Sequence, residues 1–229
     1  MPRNLVFPKS ITPIYPPKLR PGCVLHIDMQ DTGNKLIDHS GFNNHGVNYG
    51  SVSVAGPGGQ VRSFDGVDDY ITVPSSNSLK LTEEITVIAW FKINPQGERE
   101  FIATKWAGFT VELDVYNCLI GGVLIDGTQR STVGTSILPN NTWVNVTFTY
   151  SSSTRTLKTY LNGGKEIKTA PLSGLATYSM SVSDASLGIG NYSTFFYKGR
   201  IGKVCIYNRA LPAAEIAEIY AEEAWRYNS

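Results

Sequence analysis

From residue 22 onward, apolar and polar residues alternate in short runs, and each run closes on residues that turn the chain. "DYITVP" (69–74), "EITVIAWFKI" (84–93) and "TWVNVTFTY" (142–150) show the two-residue period of half-buried strands. "CVLHIDM", "VRSFDG", "EFIATKW", "FTVELDVYNCLIGGVLID", "LKTYLNG", "ASLGIG" and "GRIGKVCIYN" read the same way, and the Gly- and Asn-rich stretch between the first two reads as a loop. Turn signals "NPQG", "LPNN" and "LNGG" fall between the runs. Many short strands joined by tight turns predict an all-β antiparallel sandwich, a jelly roll. The 229 residues suit one large domain with a core that needs no disulfide staples.

Two segments depart from this pattern. Residues 1–21 hold six of the twelve prolines, four basic residues and no acid, which leaves the rest of the chain at a net charge of −3. Proline cannot join a central strand, so this segment reads as an extended basic arm. Arg3, Phe7, Ile11 and Tyr15 are the residues expected to fix it, and it is expected to pack on a neighbouring subunit, with its basic residues on that subunit's acids. The second segment, "LPAAEIAEIYAEEAWRY", predicts a helix over about 212–226 with Pro212 at its start. Ile216, Ile219 and Tyr220 form its apolar stripe, extended by Ala213 and Ala224. The domain proper is thus 22–229.

The overall charge of +1 gives no basis for nucleic-acid binding. No apolar run is long enough to insert in a membrane, and the N-terminus lacks the apolar stretch of a cleavable signal peptide. Cys23, Cys118 and Cys205 are widely spaced and odd in number, with Cys23 and Cys205 in strand-like stretches; they read as buried free thiols, with a disulfide the alternative in an extracellular setting.

Seven blocks, in order, resemble one family. "DHSGFNNHG" (38–46) resembles the D-x-S-G-x-x-N-H-G motif of laminin-G-like, concanavalin A-like jelly rolls, and "FDGVDDYITV" (64–73) resembles their F-D-G-x-D-D-Y-V-x-V. "SLKLTEEITVIAWFK" (78–92), "WVNVTFTY", "YLNG", "LGIG" and "GRIGKVCIYNRALPAAEI" resemble the remaining blocks, so the likeness covers about residues 22–221. It implies two curved antiparallel sheets and a binding or structural role. Some members bind glycans and some carry a structural calcium. Two positions depart from the pattern. The family's G-x-I-D-E-V is "GRIGKV" here, with Gly202 and Lys203 in place of the acidic pair, and Asn145 stands where a histidine is usual. The loss of that acid argues against the calcium, so the expectation is no cofactor, or at most a weak calcium site.

Asp65, Asp68 and Asp69 open the candidate sites. Asp-Gly at 65–66 suits a tight turn. The alternative is calcium, which takes six to eight oxygens, and Asp28 and Asp38 are the further carboxylates available. Catalysis has less support. The strand "VELDVYN" (111–117) resembles the E-x-D-x-E of sandwich glycosidases, but Tyr116 and Asn117 stand where the second glutamate belongs. That stretch reads as a strand with Val111, Leu113 and Val115 inward and a polar outer face. His45 reads as a loop brace. Aromatic residues cluster in "NYSTFFYKG", with Tyr192, Phe195, Phe196 and Tyr197, and again in "KWAGF", with Trp106 and Phe109. They suit core packing, a subunit interface or a glycan-stacking platform.

The reading is a non-enzymatic structural or attachment protein of a virion or extracellular surface. Its expected partners are copies of itself or other structural subunits, with glycan a further candidate. A stand-alone carbohydrate-binding module is the alternative, and a glycoside hydrolase a third.

Overall fold

The computed structural model describes residues 20–227, leaving aside the side chains of 165–169. Two eight-stranded antiparallel sheets face each other. The first runs in the order Lys165–Pro171, Thr156–Leu161, Trp143–Ser151, Glu84–Ile93, Lys198–Tyr207, Gly59–Asp65 and Val52–Gly56, and Cys23–Asp28 also pairs with Lys198–Tyr207. The second runs Thr128–Ile137, Cys118–Ile125, Phe109–Leu113, Glu100–Lys105, Leu187–Ile189, Tyr70–Val73, Gly46–Tyr49 and Lys35–Leu36. The concanavalin A-like jelly roll expected from the strand pattern is therefore present, with one C-terminal helix, Ala213–Tyr227.

The strand Glu84–Ile93 explains why its sequence is apolar almost throughout. Ile85, Val87, Ala89, Phe91 and Ile93 enter the core between the sheets, while Ile88 belongs to a second cluster with Ile216 and Ile219 of the helix. A strand covered on both faces reads as a nearly continuous apolar run. Trp90 is sandwiched between Tyr220 and Tyr227, with ring centroids 5.4 and 4.2 Å away, and its indole N–H donates to Glu223 Oε2 at 2.8 Å. Gly202 makes room for this: a Cβ there would lie 2.6 Å from the Tyr227 ring. The helical stripe differs from expectation at its ends, since Ala213 is exposed and Glu223 and Tyr227 are buried instead.

Of the arm, only Arg20 and Pro21 are described, so Arg3, Phe7, Ile11 and Tyr15 lie outside the described residues. Arg20 was expected to reach acids of a neighbour. It pairs instead with Glu218 (2.9 Å) and Glu222 (2.8 Å) of its own helix. Other expectations also change. The stretch read as a loop after residue 29 contains the strands Lys35–Leu36, Gly46–Tyr49 and Val52–Gly56. Thr128–Ile137 is a ten-residue edge strand rich in Ser and Thr, which gave no apolar period. "FTVELDVYNCLIGGVLID" is two strands, because Asp114 Oδ1 accepts the amides of Tyr116 (2.9 Å) and Cys118 (2.8 Å) and Asn117 turns the chain at φ 63°. Val115 is therefore exposed in that turn, not inward. Glu112, expected on a polar outer face, is fully buried. All three cysteines are free, with Cys23 and Cys205 buried and Cys118 half-buried. No helix among the described residues is long and apolar enough to cross a membrane.

Candidate functional site

The helix covers the outer face of the first sheet, and a hollow of about 390 Å³ lies on the second. Its floor is a cross-strand row, Thr104–Thr110–Gly122, on strands whose alternate residues Ala103, Val111 and Val123 fill the core. Gly122 keeps this floor open, since a Cβ there would approach Arg130 O at 3.1 Å. The Thr110 hydroxyl is buried and has no hydrogen-bond partner among the described residues.

The walls are aromatic. Trp106 sits in a tight turn after Glu100–Lys105, where Ala107 adopts φ 55° and the Gly108 amide donates to Lys105 O at 2.9 Å. Lys105 pins that turn by donating to the carbonyls of Ser183 (3.1 Å) and Ala185. Burial lowers its pKa. Trp106 is left 62% exposed, so a large apolar face is offered to solvent. The short hairpin Asn191–Tyr192 and Phe195–Phe196 supplies the facing wall. Tyr192 lies near-parallel to Trp106 at 5.8 Å and stacks on Phe101 at 4.9 Å, and Phe195 lies 5.9 Å from Phe101. Arg99 stacks over Phe101 at 5.3 Å and grips both oxygens of Glu112 at 2.6 and 2.7 Å. Burial raises the Glu112 pKa, and Arg99 opposes that shift.

The predicted aromatics thus divide. Trp106, Tyr192 and Phe195 meet at the hollow. Phe196 turns to the other side of the hairpin, toward Tyr70 at 6.4 Å. Tyr197 is fully buried between Phe64 and Phe91, and the Phe109 ring is also in the core. Phe101 and Arg99 were missed because a strand-end "REF" gives no signal of which face it presents.

The predicted carboxylates also separate. Asp65, Asp68 and Asp69 come together, with ligand atoms within 4.8 Å of one another. They already serve the turn: Asp65 Oδ1 accepts the Val67 amide at 2.8 Å and Asp69 Oδ2 the Asp65 amide at 2.9 Å. Burial raises the Asp69 pKa. Asp38 accepts hydrogen bonds from the His26, Ser40 and Asn44 amides and the Ser40 hydroxyl, and His45 Nδ1 accepts the Asp38 amide at 3.0 Å. Asp28 pairs with Arg226 at 2.9 Å. Neither Asp28 nor Asp38 joins the cluster at 65–69, so a cation there has three carboxylates and would depend on carbonyls and water for the rest.

Glu100 stands apart from these. It pairs with core Leu113, whereas Glu112 pairs with Phe101, so the two carboxyls project from opposite faces of the sheet. Glu100 accepts the amides of Gln96 (3.2 Å) and Lys198 (3.3 Å), but burial dominates and pushes its pKa up to about 7. The folded chain therefore binds a proton more tightly than the unfolded chain between the ordinary glutamate value and about 7. The Glu100 contribution to stability is full below that window and is lost as pH rises through it. Denaturant melts at pH 4.5 and 8 should show this loss in the wild type, and E100Q should flatten it. An unchanged pH dependence in E100Q would show that another group is responsible.

The sequence profile of the concanavalin A-like lectin/glucanases superfamily (Laminin_G_3) matches residues 65–217, and the chain belongs to this family. Among solved structures, it resembles the binding domain of Paraclostridial Mosquitocidal Protein 1 (TM-score 0.72, 16% identity, 88% of this chain and 52% of that one). It also resembles botulinum neurotoxin type C, whose uptake by cells depends on two ganglioside molecules (TM-score 0.71, 16% identity, 88% and 51%). A third similar structure is domain 4 of AbnA, a GH43 extracellular arabinanase from Geobacillus stearothermophilus, in complex with arabinotriose (TM-score 0.67, 17% identity, 86% and 98%). The chain spans about half the length of the toxin domains it matches. No curated protein matches the sequence.

Proposed function

We propose that this chain is a binding module for glycans and that the aromatic hollow holds the sugar. The observation that carries this reading is Trp106, which is 62% exposed and faces near-parallel Tyr192 across a floor whose Thr110 hydroxyl has no hydrogen-bond partner among the described residues. Aromatic faces stack on the apolar faces of sugar rings, and buried hydroxyl and guanidinium groups select orientation. Half-exposed Arg99 stands at the wall and the buried Thr110 hydroxyl in the floor. The ganglioside dependence of the similar toxin and the arabinotriose on the similar arabinanase domain support the same class of ligand.

The module acts by binding, not hydrolysis. Retaining glycosidases need two carboxyls about 5 Å apart across one bond. Glu112 is engaged by Arg99, and Glu100 projects from the opposite face. The finer proposal is that binding serves attachment at a virion or extracellular surface, with oligomerisation through residues 1–21. The mass of the protein in solution, with and without those residues, tests that part.

Binding itself is tested on a glycan array, followed by calorimetry with the best ligand. Losing a central aromatic anchor removes about 2 kcal/mol or more, roughly 30-fold in affinity. W106A should show that loss with an unchanged melt. Retained affinity in W106A would overturn the assignment of the hollow.

A further inference from the structure

The aromatic surface does not stop at the hollow. Beyond the hairpin, Phe196 lies 6.4 Å from Tyr70, and Tyr70 stacks on Tyr49 at 4.7 Å with planes 11° apart. Tyr49 and Tyr70 are a directly opposed cross-strand pair on Gly46–Tyr49 and Tyr70–Val73. Their neighbours Asn48 and Ile71 are also paired, and Ile71 is in the core, so both tyrosines stand on the outer face. Tyr49 is 45% exposed. Phe195 and Phe196, adjacent in sequence, project to the two sides of the hairpin and so belong to one patch each.

We propose that the hollow is one end of a longer track, and that this face takes an extended neutral oligosaccharide whose far end rests on Tyr70 and Tyr49. The inference rests on the glycan-binding reading above and adds ligand length and charge. Gly46–Tyr49 is three strand positions from Glu100–Lys105, which is about 14 Å at a strand spacing of about 4.8 Å. That span exceeds one sugar ring. Tyr192 and Phe195 lie against Phe101 at the near end, and Phe196 leads on to Tyr70.

Charge along the track decides the class of chain. At the Tyr49 end, Asp69 packs against Gly50, and Asp65 and Asp68 are exposed beside it. Lys198 stands opposite Asp65 in the ladder, so the end stays net acidic. At the Trp106 end, Arg99 is committed to Glu112, and Lys105 to backbone carbonyls. An anionic polymer would meet three carboxylates at 65–69 against only Lys198 and the exposed Lys35, whereas a neutral chain meets rings and hydroxyls.

The test uses the whole chain with soluble arabinan, xylan, mixed-linkage glucan and galactomannan, and with polygalacturonate as the anionic comparison. Calorimetry then follows the disaccharide to hexasaccharide series of the neutral polymer that binds best. Affinity should rise with length, and Y49A should weaken the hexasaccharide roughly three- to tenfold while leaving the disaccharide unchanged. Length-independent affinity with silent Y49A overturns the track and leaves the glycan reading standing. Tighter binding to polygalacturonate overturns the neutral-chain assignment. If no saccharide of any length binds, the track and the glycan reading fall together.

Discussion

Truncating Glu223 to alanine is expected to destabilise the fold by about 3–5 kcal/mol, the scale for breaking one partner out of a buried ion pair. Glu223 and Lys203 are paired side chains only 7% and 4% exposed, between the first sheet and the helix. Burial opposes the Lys203 charge, yet Cys205, Glu223 and Asp28 around it keep its pKa above the ordinary lysine value. Without Glu223 that ammonium remains buried, and the Trp90 indole N–H loses its acceptor. The same cation holds His26 neutral: burial first, then Lys203, pushes the imidazole down to about 2. At roughly 2–4 °C per kcal/mol for a domain of this size, the melting midpoint should drop by on the order of 10 °C. The double variant K203M/E223L, which removes both charges, should recover much of the loss. A change below about 1 kcal/mol in E223A would show that water reaches the pair and that the helix is less tightly docked than described.

The second large effect concerns Asp38. Its carboxylate accepts four hydrogen bonds at 2.7–2.9 Å and ties the 38–44 loop to the strand Cys23–Asp28. His26 and Asn44 are themselves buried, so D38A strands their amides away from water. Each buried donor left unsatisfied costs about 1–3 kcal/mol, which gives about 3–5 kcal/mol for the variant. D38N should lose less, because it keeps one acceptor oxygen. Chelator separates this role from metal ligation. The wild-type melt should be unaffected by chelator while D38A is strongly destabilised. A chelator-induced drop as large as that of D38A would mean that a bound cation organises this loop, and that the carboxylates at 28, 38 and 65–69 were undervalued.

The parts of the fold legible in the sequence are those where burial dictates residue type. Glu84–Ile93 and Trp143–Ser151 must be apolar on the core side and are strands as expected, but both faces of each are covered, so the half-burial expected from their alternation is not what the fold has. Thr128–Ile137 and Val52–Gly56 lie at sheet edges and are held by backbone pairing, which leaves little trace in side-chain pattern. The buried acid of the helix was hidden for a related reason. Glu223 follows Ile216, Ile219 and Tyr220 at helical spacing, but a charge there makes sense only once Lys203 is placed beneath it. Gly202 and Lys203, which depart from the family pattern, are the other half of that contact, one making room for Tyr227 and one pairing with Glu223. The aromatic cluster at 192–197 was visible as composition. Its division was not, because the two-residue turn at Ser193 and Thr194 reverses the chain and sends neighbouring rings to different sides.

Nuclear magnetic resonance of the four tryptophan indoles tests the central claim most directly. Trp90 is buried under the helix, Trp143 lies 5.1 Å from Tyr227, Trp225 is exposed on the helix, and only Trp106 lines the hollow. Titration with the best glycan from the array should move the Trp106 indole signal together with the amides of Thr110 and Tyr192, and leave the other three indoles in place. A ligand that binds while Trp106 stays still, and that instead moves amides around Phe42 and His45, which line a separate hollow with Pro74, or around Asp65–Asp69, would contradict the assignment.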